Sequence, residues 1–235
     1  MSKNGNKQHF TDIERNDYMK KSIKKVVVIA MMLVCLCSSN LVFAHEIYYD
    51  SNGSGVVLKW GNLQSGLPYL TVNGDYLSAD YSSFFNSAVQ AWPTASSRVK
   101  ATTASFSTSK VDMCTPTEEY WEERFGWLYA SSVCGITDIK DSAGTYIDSL
   151  SAAENSSGTI TYAQIYMNPD IDVFEKNDTF KEKTMVHEVG HVLCLGHSDG
   201  DYYPLSDDVD SIMKRGSLGY KTPQSHDITD LSNKY

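Results

Sequence analysis

His187-Glu188-Val189-Gly190-His191-Val192-Leu193-Cys194-Leu195-Gly196-His197 is the stretch on which the reading of this chain turns. Positions four apart on an α-helix share a face, one turn above each other, so His187 and His191 can aim both imidazoles at one ion. Glu188 falls at the rim of that face, where a carboxylate reaches a water on the ion without ligating. If the helix stops after His191 and the chain turns back, His197 completes a three-histidine site. Three protein ligands leave the fourth zinc position open, the layout of a catalytic rather than a structural zinc. The bland alternative is a buried helix carrying three unrelated histidines.

The flanking sequence supplies the elements such a site needs. Thr179-Phe180-Lys181-Glu182 has the T-x-x-E form of a capping box, and Met185, Val186, Val189 and Leu193 continue a helical period through the histidines. Residues 158–169 alternate β-branched and aromatic side chains and end in Asn-Pro, which predicts a strand. Residues 56–60 read as a first strand and 69–72 as a second, closed by a hairpin-type turn at Asn73-Gly74. Phe84, Phe85, Ala88, Val89 and Trp92 predict an amphipathic helix over 82–91, ended by Pro93. Residues 99–106 form a further predicted strand, and 118–144 carry no clear pattern. Strands interleaved with an early helix and a late zinc helix predict one α+β domain, with no repeat or linker marking a second.

Residues 1–44 read as a secretory leader. Lys20, Lys21, Lys24 and Lys25 precede an apolar core at 26–36, and Val42-Phe43-Ala44 offers a cleavage site. That core is short for a membrane span of about 20 residues. Met19 stands before the basic residues as an alternative start. Removal of the leader leaves a single domain over residues 45–235. The leader holds seven of the 20 Lys and Arg and three of the 29 Asp and Glu, so the net charge moves from −9 to about −13. Such acidity argues against nucleic acid and anionic membrane surfaces as partners. Cys35 and Cys37 leave with the leader. Cys114, Cys134 and Cys194 remain, and the first two either close a loop by a disulfide or stay unpaired.

The chain resembles the metzincins and, within them, the matrixin-like secreted metalloproteases. His187, Glu188, His191 and His197 stand in register with that clan's H-E-x-x-H-x-x-G-x-x-H signature. Ser211-Ile212-Met213 follows the last histidine like the clan's methionine turn. Looser likenesses lie at Leu58-Lys59-Trp60, at Ile165-Tyr166-Met167-Asn168, and in the run from Asp227-Ile228 through Leu231 to Tyr235. The resemblance implies a zincin-like fold: a twisted, mostly parallel five-stranded sheet, an active-site helix, a C-terminal helix, and a cleft along an antiparallel edge strand. It also implies a secreted zinc endopeptidase, with His187, His191 and His197 as ligands and Glu188 as the catalytic base for a zinc-bound water. Met213 is then a packing element beneath the ion, and strand 160–167 pairs with an extended protein or peptide substrate.

Three departures from the family pattern bear on that implication. Cys194 occupies the family's glycine position, which predicts a slightly different turn; the cysteine is either a small apolar residue behind the helix or a redox-sensitive thiol. No Pro-Arg-Cys-Gly segment precedes the first strand, so thiol latency is unsupported. Residues 45–235 hold only His45, His187, His191, His197 and His226, so one catalytic zinc is expected and no second. Asp199, Asp201, Asp207, Asp208 and Asp210 form either a calcium-binding or a solvated acidic loop. Tyr220 reads as wall or surface packing, His226 as a surface residue of the last helix, and the protein as a monomer. The competing reading is a catalytically silent, zinc-stabilised binding or adhesion domain, which would have no use for Glu188.

Overall fold

Apolar alternation in the strand segments places one face of a mixed sheet against the helices. The structure is a computed structural model, and it describes residues 48–49, 55–126, 133–170, 177–198, 209–216 and 219–235. The elements are β1 Tyr48–Tyr49, β2 Gly55–Val56, β3 Lys59–Trp60, β4 Leu63–Gln64, β5 Leu67–Tyr76, α1 Ala79–Ser82, α2 Phe85–Ala95, β6 Lys100–Thr103, β7 Val111–Cys114, α3 Glu118–Phe125, β8 Gly135–Asp141, β9 Tyr146–Ile147, α4 Leu150–Glu154, β10 Thr159–Met167, α5 Asp178–Val192 and α6 Ser225–Lys234. The predicted leader over 1–44 lies outside the described residues, as do Asp199, Asp201, Asp207 and Asp208 of the acidic run. No described helix is long and apolar enough to cross a membrane.

Five principal strands lie in the order β6-β5-β7-β10-β8, with β9 beyond β8. Neighbours β6, β5, β7 and β10 run parallel, and β8 alone among the five runs antiparallel to its partner. This is the α+β class with a mixed five-stranded sheet and a C-terminal helix that the resemblance implied. Leu70, Val72, Val111, Met113, Ala163, Ile165 and Met167 are buried on one face, where they meet Ala88, Val89 and Trp92 of α2 and Met185, Val186 and Val189 of α5. Tyr166 points the other way and joins Trp121 and Phe125 of α3 in a separate small cluster.

Several expectations are corrected. Asn73-Gly74 is no hairpin turn: β5 runs through it to Tyr76, with a register shift against β7 that marks a bulge. Gly74 is needed because any Cβ there would come 2.7 Å from the Phe85 ring. Pro93 does not end α2, which continues to Ala95; near a helix C-terminus the missing N–H forfeits one bond without forcing a break. The N-cap of α5 is Asn177, whose side chain accepts from the Phe180 N–H, so Thr179 lies inside the helix. The unpatterned 118–144 stretch holds α3 and β8. Of the two alternatives left open for Cys114 and Cys134, the structure shows the one without a disulfide.

The correction of most consequence concerns the substrate strand. β10 is hydrogen-bonded by β7 on one side and β8 on the other, so it has no edge to offer. β9 pairs with β8 only at Ile139 and Lys140. Among the described residues, Gly135–Asp138 therefore form the open antiparallel edge.

The far end of the chain locks this layout. The Tyr235 hydroxyl accepts from the Trp60 N–H at 2.8 Å and donates to the Leu193 carbonyl at 3.1 Å, tying β3 to the end of α5. Removing it in Tyr235→Phe strips a partner from each of two backbone groups. The expected loss is about 1–2 kcal/mol, read as a lowered midpoint in urea unfolding.

His226 lies on α6 as expected but is half-buried, with Nδ1 3.2 Å from Asp230 Oδ2. The bond to Asp230 raises its pKa above the ordinary histidine value, against the opposing effect of burial; the charges of Asp230 and Asp227 add to the rise. A raised folded pKa means the pair's stabilisation is complete below the unfolded value of about 6.5 and fades as pH climbs through the folded one. The destabilisation caused by His226→Gln should thus be greater at pH 5.5 than at pH 9. The difference should not exceed about 1 kcal/mol for a partly exposed pair, as measured by paired urea titrations.

Candidate metal centre

α5 carries His187 and His191 on one face, and its C-terminal turn delivers His197. Leu193 is the C-cap, Cys194 has φ of 59°, the Leu195 N–H bonds the Gly190 carbonyl at 3.1 Å, and the Cys194 N–H bonds the His191 carbonyl at 2.9 Å. These two bonds with a left-handed C′ residue make a Schellman motif. Cys194 thus takes the left-handed conformation that glycine favours, and the altered turn expected from its presence does not arise. Its thiol is fully buried. A left-handed non-glycine residue costs about 1 kcal/mol.

The three histidines converge. One ring nitrogen from each of His187, His191 and His197 lies within 4.8 Å of the others. His187 Nε2 is 3.1 Å from His191 Nε2 and 3.2 Å from His197 Nε2. His187 Nδ1 is 2.8 Å from the Ile212 carbonyl, and His191 Nδ1 is 2.8 Å from the Leu195 carbonyl. A carbonyl only accepts, so both Nδ1 atoms carry a proton. Burial, reinforced by His191, Lys183 and His197 and opposed only by the Ile212 bond, pushes the His187 pKa well down and keeps the ring neutral. The neutral His187 ring turns a bare Nε2 lone pair toward the other two imidazoles, and the separations of 3.1 and 3.2 Å fit a shared cation: with Zn–N near 2.05 Å, tetrahedral ligands stand about 3.3 Å apart.

Glu188 packs against β8. It is 4 % exposed, and its Oε2 accepts from the Thr137 hydroxyl at 2.7 Å. Burial pushes its carboxyl pKa up, while His191, the Thr137 bond and Lys183 pull it down. Gly135 leaves the space the carboxylate fills, since a Cβ there would come 2.8 Å from Oε1.

Beneath the helix lies the turn Ser211-Ile212-Met213. Met213 is 2 % exposed and packs on Gly190, where an added Cβ would collide with its sulfur and with Trp92. Trp92 also donates its indole N–H to the Val186 carbonyl at 3.0 Å. Asp227, the first-turn acid of α6, holds the turn from below: Oδ1 accepts from the Ser211 hydroxyl at 2.5 Å, and Oδ2 accepts from the Ile212 N–H at 2.8 Å and the Gln224 N–H at 2.7 Å. Tyr220, expected to pack on a wall, places its hydroxyl on the Ser211 N–H and carbonyl at 3.0 and 3.1 Å. Lys183, one turn before His187, is buried and donates to the Lys214 carbonyl at 3.0 Å. Asp210 is exposed.

Nothing in the sequence marks Asp227, Thr137, Lys183 or Gly135 as a site residue. Asp227 showed only as a member of the last helix, and nothing in the local pattern of the others ties them to residues 31 to 53 positions away.

No family model matches the chain, and no curated protein matches it in sequence. Among solved structures it is similar to that of myroilysin, at a TM-score of 0.41 and 16 % identity, over 83 % of this chain and 91 % of that one.

Proposed function

We propose that the chain is a secreted, matrixin-like metzincin: a zinc-dependent endopeptidase whose catalytic domain spans residues 45–235 and works as a monomer after loss of a 1–44 leader. The observation that carries the reading is the convergence of three imidazole nitrogens at the end of a helix that also bears a buried carboxylate, Glu188, bonded by Thr137. His187, His191 and His197 would hold the zinc, which when bound supplies a Lewis acid for the scissile carbonyl. Glu188 takes a proton from the attacking water and returns it to the leaving amine. The open edge of β8 at Gly135–Asp138 receives an extended peptide by strand addition, which fixes the backbone beside Glu188. The acidic composition favours a protein or peptide substrate over nucleic acid. A calcium role for the acidic run has no support among the described residues, where Asp210 is its only member.

Purified protein should bind one zinc per chain and cleave an unfolded protein. A chelator should abolish cleavage. Glu188→Ala should lower kcat at least about 100-fold with zinc retained. Bound zinc with no cleavage of any unfolded substrate would move the reading to the silent binding domain, and absence of zinc binding would sink both. Asp227→Asn replaces an acceptor facing two N–H groups with a donor, or forfeits the Ser211 bond. It should weaken zinc binding about 10- to 100-fold, measured by competition with a chromophoric chelator.

A further inference from the structure

Among the described residues, one side-chain group holds Glu188, and it comes from the strand that forms the open edge. Alternation along β8 turns Gly135, Thr137 and Ile139 toward α5, and Thr137 sits opposite Ile165 of β10 in a continuous ladder. The Thr137 hydroxyl donates to Glu188 Oε2 at 2.7 Å and lies 3.2 Å from the carbonyl of the same residue. A hydroxyl carries a single proton, and the shorter bond to a carboxylate is the stronger. Oε1 takes no hydrogen bond from the described residues, and it lies over Gly135, the only residue type that leaves it room. The two oxygens are therefore unequal: one is fixed by the strand, and the other is left to exchange a proton.

We infer that Thr137 is a positioning residue, which anchors Glu188 through Oε2 so that Oε1 is the oxygen that accepts and returns the proton. The inference rests on the peptidase reading and deepens it. β8 serves both as the rail for the peptide and as the anchor of the base, so the distance between substrate backbone and base is set within one strand. Threonine suits the position because its branched Cβ restricts the hydroxyl rotamer and fits a strand.

The test compares Thr137→Val, which keeps the shape and deletes the donor, with Thr137→Ser, which keeps the donor. Peptide kinetics are followed on the zinc-loaded protein, with zinc content measured for each variant. Valine should lower kcat about 10-fold or more, a fraction of what general acid–base catalysis contributes, with KM within twofold and zinc content unaltered; serine should recover most of that loss. A second readout needs no activity. In zinc-free protein, the change in urea midpoint caused by Thr137→Val should be large beside Glu188 and small in a Glu188→Ala background. A valine variant with wild-type kcat, a serine variant as impaired as valine, or an additive cycle would each overturn the inference and leave the peptidase reading standing. A wild type that binds zinc and cleaves nothing overturns the peptidase reading, and with it the catalytic purpose assigned to Thr137.

Discussion

The hydrogen bond from His187 Nδ1 to the Ile212 carbonyl spans 25 positions of chain and governs how the site can be built. It fixes the tautomer, so Nε2 is bare; it fixes the ring plane, so Nε2 faces the other two imidazoles. A carbonyl can do this only if its own peptide is immobile. Asp227 provides that, since one carboxylate collects the Ser211 hydroxyl and the backbone N–H groups of Ile212 and Gln224. Tyr220 clamps the peptide of Ser211 from the other side. The last helix thus acts on the histidines through a turn. Outer partners of this kind set the basicity and orientation of a ligand.

Close packing supplies what the hydrogen bonds do not. Gly190 sits between His187 and His191 of α5, and its missing side chain admits the Met213 sulfur on one side and the Trp92 ring on another. The same helix turn is therefore gripped by a loop and by α2. With Tyr235 bridging β3 and Leu193, the C-terminal end of α5 cannot shift without breaking contacts in three separate elements. Interiors packed this tightly transmit displacement rather than absorb it, which is what a site with sub-ångström demands requires.

What could be read in advance follows the range of the interactions. The histidine spacing, the helix that bears it and strand β10 are local periodicities, and each is visible in a dozen residues. The register of β8 is not, because residues 118–144 mix aromatic and polar positions, and the sheet alternation competes there with α3. Asn73-Gly74 misleads for a related reason. The pair is a turn signal in isolation, but here the glycine serves a ring from α2 and the asparagine a bulge, and burial of the surrounding strand overrides local preference. Cys194 is the converse case: the sequence argued for a changed turn, yet two Schellman bonds and full burial of the thiol hold the residue left-handed at a cost of about 1 kcal/mol. Thr137 and Asp227 were invisible as site residues because their partners are 51 and 15 positions away.

The convergence of the three imidazoles rests on groups outside the cluster. The Ile212 carbonyl orients His187, and the Leu195 carbonyl orients His191. Asp227 and Tyr220 brace the turn that carries Ile212, and Met213 of the same turn packs on Gly190. A change at Asp227 or Tyr220 therefore reaches the imidazoles through the backbone of 211–213, as a shift in ring orientation rather than as the loss of a histidine.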